Sequence, residues 1–308
     1  MFDLQGHRGA RGLWPENTLA GFARTIELGV CGLELDCALT RDGVVVVSHD
    51  PKLNPDCTRD AHGRFLSAHG PPIRSLTYQQ VQSYDVGRLR PGSDYAARFP
   101  EQQAVDGERI PRLADVLSLV RTRGHDRVRV SIEVKTFPEQ PELTAAPEPF
   151  VRALREDLER TGAAALAVIL AFDWRVLSAA HQLMPSVTTT ALTEQQPEGD
   201  TVRLGSPQPS PWLGGLDPSG FGGSIPRLVK ACGAGIWGPD YQDLNAQRVD
   251  EAHALGLRVI PWTVDEPADM ERMLACNVDG MISDRPDRLR ALLESRGIAV
   301  PSRPQEHS

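Results

Sequence analysis

Leu33-Glu34-Leu35-Asp36-Cys37, then Thr40-Arg41-Asp42-Gly43, then Val44-Val45-Val46-Val47-Ser48-His49-Asp50, is the stretch on which the reading of this chain turns. Side chains alternate along a strand, so Glu34 and Asp36 project from one face while Leu33, Leu35 and Cys37 project from the other. The apolar face suits a strand packed on helices. Two carboxylates on the opposite face repel each other unless a positive charge joins them. An Asp-Gly pair between two apolar runs is a hairpin signal. Leu33–His49 therefore reads as one strand continued into a hairpin, which brings His49 back toward the carboxylates.

Outward from this stretch, short apolar runs alternate with helical patterns. Strands are expected at Leu4–His7, Leu33–Cys37, Val130–Val134, Val168–Phe172, Thr188–Leu192, Gly235–Trp237, Val259–Thr263 and Gly280–Ser283. Helices are expected at Thr18–Leu28, Leu113–Arg121, Pro149–Arg160, Arg175–Leu183, Pro226–Ala231, Ala246–Leu255, Ala268–Ala275 and Pro286–Glu294. Strand-helix alternation of this kind predicts an α/β fold with a parallel sheet, and eight units predict a (β/α)8 TIM barrel. No Gly-x-Gly-x-x-Gly follows the first strand, which argues against a dinucleotide fold. Residues 51–110, rich in Pro, Gly, Arg and Gln with one weak helix near Thr77–Tyr84, read as an insertion over the C-terminal mouth. Such an insertion is either a solvated loop or a lid shaping the alcohol side of a substrate. Residues 1–300 form a single barrel on this reading, with 195–225 a second long loop and 301–308 a disordered tail.

The chain has 308 residues and a net charge of −8. That balance argues against a nucleic-acid partner, though not against a small phosphate bound in a local cationic pocket. No apolar run is long enough for a membrane span, and no signal peptide is visible, which suggests a cytoplasmic protein. Cys31, Cys37, Cys57, Cys232 and Cys276 are odd in number and lack metal-site spacing, so free thiols are expected.

The chemistry-bearing residues gather at strand ends. Glu34 and Asp36 suit a divalent cation held by oxygens. Glu133 and Lys135 repeat the one-face pattern on the third strand, as a third carboxylate with a phosphate-binding ammonium or as a structural salt bridge. His7 and His49 each end a strand and can divide proton removal and donation. Arg8 can hold a phosphate through two contacts. Asn17-Thr18 opens the first helix as a cap, and Glu16 before it can orient Arg8 or a histidine. Trp262 either packs in the core or flanks a substrate carbon chain. His62, His69, His125, His181, His253 and His307 are expected on the surface.

Together these residues resemble the glycerophosphodiester phosphodiesterase family. The resemblance rests on His7-Arg8-Gly9, Pro15-Glu16-Asn17-Thr18, Glu34-Leu35-Asp36, Thr40-Arg41-Asp42-Gly43 and His49-Asp50. It continues through Ile110-Pro111-Arg112-Leu113, Glu133-Val134-Lys135, Trp262-Thr263-Val264-Asp265 and Asp279 to Pro286, over nearly the whole chain. The family often has Val where Cys37 stands and Ser where Ala171 precedes Phe172. It implies one divalent metal ion, Mg2+ or Ca2+, on Glu34, Asp36 and Glu133, with His7 and His49 as the acid–base pair. It also implies Arg8 and Lys135 at the phosphate, joined by Trp262 on the substrate, and Glu16, Asn17, Asp50 and Phe172 in support. The implied reaction turns a small-molecule glycerophosphodiester into sn-glycerol 3-phosphate and an alcohol, with water or a neighbouring glycerol hydroxyl as nucleophile. Other readings of the same residues are a sphingomyelinase D-like lipid phosphodiesterase, a metal-dependent lyase or isomerase, and a non-catalytic ligand-binding barrel.

Overall fold

The structure is a computed structural model that describes residues 1–124 and 126–303. Its strands are β1 (Asp3–Gly6), β2 (Gly32–Leu39), β3 (Val45–Val47), β4 (Arg129–Val134), β5 (Ala167–Ala171), β6 (Thr188–Thr193), β7 (Ile236–Pro239), β8 (Arg258–Val259) and β9 (Gly280–Ser283). All but β3 run parallel in the order β8-β7-β6-β5-β4-β2-β1-β9. The remaining gap is bridged by backbone bonds from Asp279 N to Val259 O, Ile282 N to Pro261 O and Val264 N to Ile282 O. The result is the eight-stranded α/β barrel expected from the alternation.

All eight expected helices are present. Thr18 caps the first, Leu19–Leu28, by accepting the Gly21 N–H, and left-handed Gly29 ends it. The outward strand faces carry Leu33, Leu35, Cys37, Val130 and Ile132, all fully buried against helix residues such as Phe22, Leu117 and Phe150. Inside the barrel, Val168, Leu170, Leu192, Ile236, Ile260 and Ile282 form a small apolar plug, with Phe172 and Trp262 packed against it. The plug excludes water from the barrel's middle and leaves the strand ends to hold charge. Among the described residues no helix is long and apolar enough to cross a membrane, and all five cysteines are free.

Four expectations need correction. The strand expected over Val259–Thr263 is regular only at Arg258–Val259. Pro261 has no N–H to give to a ladder, and the chain continues toward Trp262 with Pro261 O accepting from Ile282. The insertion holds two short helices, Tyr78–Val81 and Asp94–Arg98, rather than one. It also packs a small core of its own, Leu53, Ile73, Leu76 and Val81 against Ala38 and Val46, so it is not merely a solvated loop. His181 and His253 are half-buried and bonded to Thr189 and Asp279 instead of lying free on the surface. Finally, Pro301 of the expected tail is tied down, its carbonyl accepting from Arg290 Nη1 at 2.8 Å. Residues 304–308, with His307, and His125 lie outside the described residues.

The turn after β1 depends on a missing side chain. A Cβ at Gly6 would lie 1.8 Å from Gly9 O and 2.7 Å from Thr25 Cγ2. Gly9 itself has φ +89°, and Arg8 between them +50°. Gly6→Ala forces the backbone apart at this crossing, and overpacking of a tight site destabilises by about 1–3 kcal/mol. Thermal denaturation should therefore show a lowered Tm, and an unchanged Tm would mean that the turn has slack that the structure does not show.

Candidate active site

The pairing of β2 with β4 sets the centre of the site. Asp36 is the register partner of Glu133 and Glu34 of Ser131, and partners on adjacent parallel strands share a face. Glu34, Asp36 and Glu133 thus converge at the C-terminal end of the ring, where barrel enzymes carry their chemistry. Each is buried, and one oxygen of each lies within 4.8 Å of the others. The hairpin acts as expected. Cys37 pairs with Val47, Ser48 N donates to Asp36 O, and His49 emerges beside the carboxylates.

Positive charge surrounds this group. Lys135 Nζ lies 2.6 Å from Glu133 Oε1 and 3.1 Å from Asp36 Oδ1. It therefore sits in the carboxylate cluster as an ion pair. Arg8 donates its backbone N–H to Glu34 Oε2 at 2.9 Å and holds Nε 3.4 Å from Asp36 Oδ2. Its Nη1 donates to Glu16 Oε1 at 2.8 Å, so Glu16 orients Arg8 rather than a histidine. Asn17 does not cap the helix. Its Nδ2 donates to Asp36 Oδ2 at 2.9 Å, and its left-handed backbone (φ +56°) turns it toward β2.

The two histidines are built alike. His7 shares its Nδ1 with Asp284 Oδ1 at 2.6 Å, and His49 its Nδ1 with Asp50 Oδ1 at 2.7 Å. Asp284 also accepts from Arg11 Nε and Nη2, at 3.0 and 2.8 Å, while Asp50 accepts from Asn54 at 2.7 Å. A carboxylate on Nδ1 fixes ring orientation and favours the tautomer with its proton there. Nε2 of each ring is free of protein hydrogen bonds among the described residues.

Electrostatics separate these groups. Burial, reinforced by Asp36 and Glu133, pushes the Glu34 carboxyl well above the usual carboxylate range. Burial acts on Asp36 too, but Lys135, His49 and Arg8 outweigh it and hold Asp36 well below that range. Burial lowers His49 to about 4, helped by Arg8 and Lys135. His7 is also lowered by burial, against the pull of Asp284.

Glu34, Glu133, Lys135, Arg8 and the two histidines line one cavity of about 470 Å3, with Phe172 and Trp262 on its wall and Asp36 buried behind it. The two rings meet edge to face with centroids 5.3 Å apart, and Trp262 Nε1 donates to Gly238 O. Trp262 thus both packs on the plug and faces the cavity. Sequence reasoning missed Arg11, Tyr95, Arg98, Glu194 and Asp284, which line the same space. Asp284 had a signal, a carboxylate directly after the last strand. Tyr95 and Arg98 had none, because they arrive on the insertion's second short helix; Tyr95 Oη bonds Glu16 and closes that helix onto the floor of the site.

Comparison with known proteins agrees with the fold. A curated glycerophosphodiester phosphodiesterase of Caldanaerobacter subterraneus is 28% identical over 299 residues, covering 94% of this chain and 97% of the relative. A probable glycerophosphodiester phosphodiesterase 2 of Mycobacterium tuberculosis is 29% identical over 290 residues, covering 92% and 87%. The crystal structure of a candidate glycerophosphoryl diester phosphodiesterase from Silicibacter pomeroyi superposes with a TM-score of 0.86 at 34% identity, over 97% of this chain and 95% of that one. An Oleispira antarctica phosphodiesterase in complex with the product sn-glycerol-3-phosphate shares the fold at a TM-score of 0.68 and 19% identity, over 94% and 96%. The model of the glycerophosphoryl diester phosphodiesterase family matches residues 7–288, and with a barrel that carries its carboxylates and histidines at one mouth, the chain belongs to that family.

Proposed function

We propose that this chain hydrolyses glycerophosphodiesters to sn-glycerol 3-phosphate and an alcohol, with His7 and His49 as the acid–base pair and a divalent cation on Glu34, Asp36 and Glu133. The observation that carries this reading is the pair of histidines, each tied at Nδ1 to its own carboxylate, lining one cavity with Glu34 and Glu133, with Asp36 converging on those two from just behind the wall.

The donor set fits a cation. All three ligands offer hard oxygens, as Mg2+ and Ca2+ prefer, and the three buried carboxylates converge with Lys135 Nζ as the one ammonium among them. When bound, the cation supplies positive charge to a phosphoryl oxygen. Arg8, oriented by Glu16, stabilises charge growing on the non-bridging oxygens, and Lys135 adds a point charge beside it. One histidine takes a proton at Nε2 from the attacking hydroxyl, and the other gives a proton from Nε2 to the departing alkoxide. Asp284 and Asp50 keep the rings aimed for these transfers. Phe172 and Trp262 offer apolar faces to the carbon chain of the substrate.

The metal requirement is tested by chelation. Activity in a coupled glycerol 3-phosphate assay should vanish with chelator and return with magnesium or calcium; undiminished turnover in metal-free enzyme excludes the cation. Glu133→Gln should weaken metal binding, measured by calorimetry, with the fold retained. Loss of the fold instead would make Glu133 a structural partner of Lys135.

Removing either proton carrier should be severe. His7→Ala and His49→Ala should each lower kcat by about a hundredfold or more, the usual contribution of one positioned acid or base. A His49→Ala variant that keeps most of its activity removes His49 from the pair.

Asp284 links the site to stability. Burial alone would raise its carboxyl, but His7 and Arg11 outweigh burial and hold it well below the usual range. A depressed folded value gives stability that is present above the unfolded carboxyl value of about 3.9 and is lost as pH falls toward the folded value. Asp284→Asn should therefore lower Tm at pH 7, with its gap to the wild type narrowing below about pH 4. A gap that stays constant through this range would mean that the carboxylate's charge contributes nothing.

A further inference from the structure

The carboxylate that holds His7 is itself held from the insertion. Arg11 places Nε and Nη2 on the two oxygens of Asp284, at 3.0 and 2.8 Å. Its Nη1 donates to Tyr95 Oη at 3.1 Å. Tyr95 Oη donates in turn to Glu16, and Glu16 accepts from Arg8 Nη1. One unbroken chain of contacts therefore runs from His7 through Asp284, Arg11, Tyr95 and Glu16 to Arg8. At one end stands a proton carrier, at the other the arginine for the phosphate. Of these six residues only Tyr95 comes from the insertion.

The direction of each bond at Tyr95 is fixed. A guanidinium can only donate and an ionised carboxylate can only accept, so the hydroxyl accepts from Arg11 and gives its proton to Glu16. Burial alone would raise the Glu16 carboxyl, but Arg8 and Arg11 outweigh it and hold Glu16 below the usual range. Arg11 and Glu16 attract each other, yet among the described residues they form no ion pair of their own; each is spent on another partner. The Tyr95 hydroxyl stands between them. Without it, Arg11 is free to turn from Asp284 toward Glu16, and Glu16 from Arg8 toward Arg11. Such an exchange loosens both ends of the chain at once.

The segment that carries Tyr95 has other anchors and does not need this hydroxyl to stay in place. Phe99 is buried, and the Arg11 guanidinium lies over its ring, 4.6 Å from the centroid. Gln102 Nε2 donates to Arg11 O and Gln103 N to Leu13 O, both at 2.8 Å. Glu101 pairs with Arg285 and Arg288, just past Asp284. Tyr95 and Phe99 meet edge to face with centroids 5.3 Å apart, a contact that loss of the hydroxyl leaves intact. The hydroxyl thus reaches beyond what docking of the segment requires, to two charged groups of the site.

We infer that Tyr95 is a positioning residue for the reaction: its hydroxyl keeps Arg11 on Asp284 and Glu16 on Arg8, and so holds the proton carrier and the phosphate arginine in register with each other. The inference rests on the phosphodiesterase reading above and deepens it. Tyr95 acts through other side chains, and hydrogen-bonded chains of this kind are worth more together than their members taken singly. The insertion is then a working part of the site, because it supplies the one neutral group that lets two buried arginines and two buried carboxylates each keep the right partner.

The test removes the hydroxyl in three backgrounds and reads kcat and KM in the coupled glycerol 3-phosphate assay, with the fold checked by circular dichroism. In the wild-type background Tyr95→Phe should lower kcat by about tenfold, the scale of one hydrogen bond to a charged group. In Asp284→Asn or Glu16→Gln enzyme one branch of the chain is already cut. There the same substitution should cost about threefold or less, because members of one network are not additive. An equal loss in all three backgrounds means that Tyr95 acts on the structure at large and overturns the role. So does an unchanged kcat, or a higher KM alone, which would make Tyr95 a substrate contact. Arg11→Lys keeps the charge but cannot hold Asp284 and Tyr95 together. If Tyr95→Phe fails to fold, a lowered kcat in folded Arg11→Lys enzyme supports the chain and a wild-type kcat overturns it. These outcomes leave the phosphodiesterase reading intact, whereas absence of turnover of any diester by the wild type overturns that reading and this role with it.

Discussion

Asp36 is a fully buried carboxylate that stays ionised, and most of the site is arranged around that charge. An isolated charge in a protein interior is costly unless ion pairs and hydrogen bonds replace its water. Three side chains do so here: Lys135 from the end of β4, and Arg8 and Asn17 from the loop after β1. Each needs its own local geometry to arrive. Arg8 and Asn17 adopt left-handed backbone conformations, uncommon for non-glycine residues and sustained only where surrounding contacts over-determine them. The loop's unusual path follows from the charge it must reach.

Glu34 has the opposite fate two residues away on the same strand face. It accepts the Arg8 backbone N–H, but no side-chain cation is paired with it as closely as Lys135 is with Glu133. Burial and two neighbouring carboxylates therefore push it toward the neutral form. Three carboxyl groups at this separation cannot all carry full charge against one lysine and one arginine. That unevenness is the electrostatic signature of a site short of positive charge, and it is why a cation suits the cluster better than a further salt bridge.

Around this centre the outer contacts repeat one device. Each histidine is held by a carboxylate, and each carboxylate is held in turn, Asp284 by Arg11 and Asp50 by Asn54. The insertion joins the same network through Tyr95, which reaches Glu16 and so Arg8. Its small core around Ile73 and Val81 rests on Ala38 and Val46 of the β2–β3 hairpin. The hairpin that presents His49 is therefore also the platform on which the insertion stands.

The barrel was legible in the sequence because strand and helix patterns are local: alternation at Leu33–Cys37 and the caps and turns around Thr18 and Gly29 act over a few residues. The carboxylate set was legible for the same reason, since Glu34 and Asp36 share a face by the period of a strand. The hairpin's Asp42-Gly43 turn further implied where His49 would return. Other features depend on residues far apart in the chain. Asp284 meets His7 across 277 positions, and Tyr95 meets Glu16 only because the insertion folds back over the mouth. Asn17 looked like a cap beside Thr18, yet a left-handed turn sends it to Asp36. The sequence by itself determined which side chains each strand end carries. Tertiary structure alone decided which of them meet, because strand order and loop path bring charges from distant segments into one water-poor space where each must find a partner.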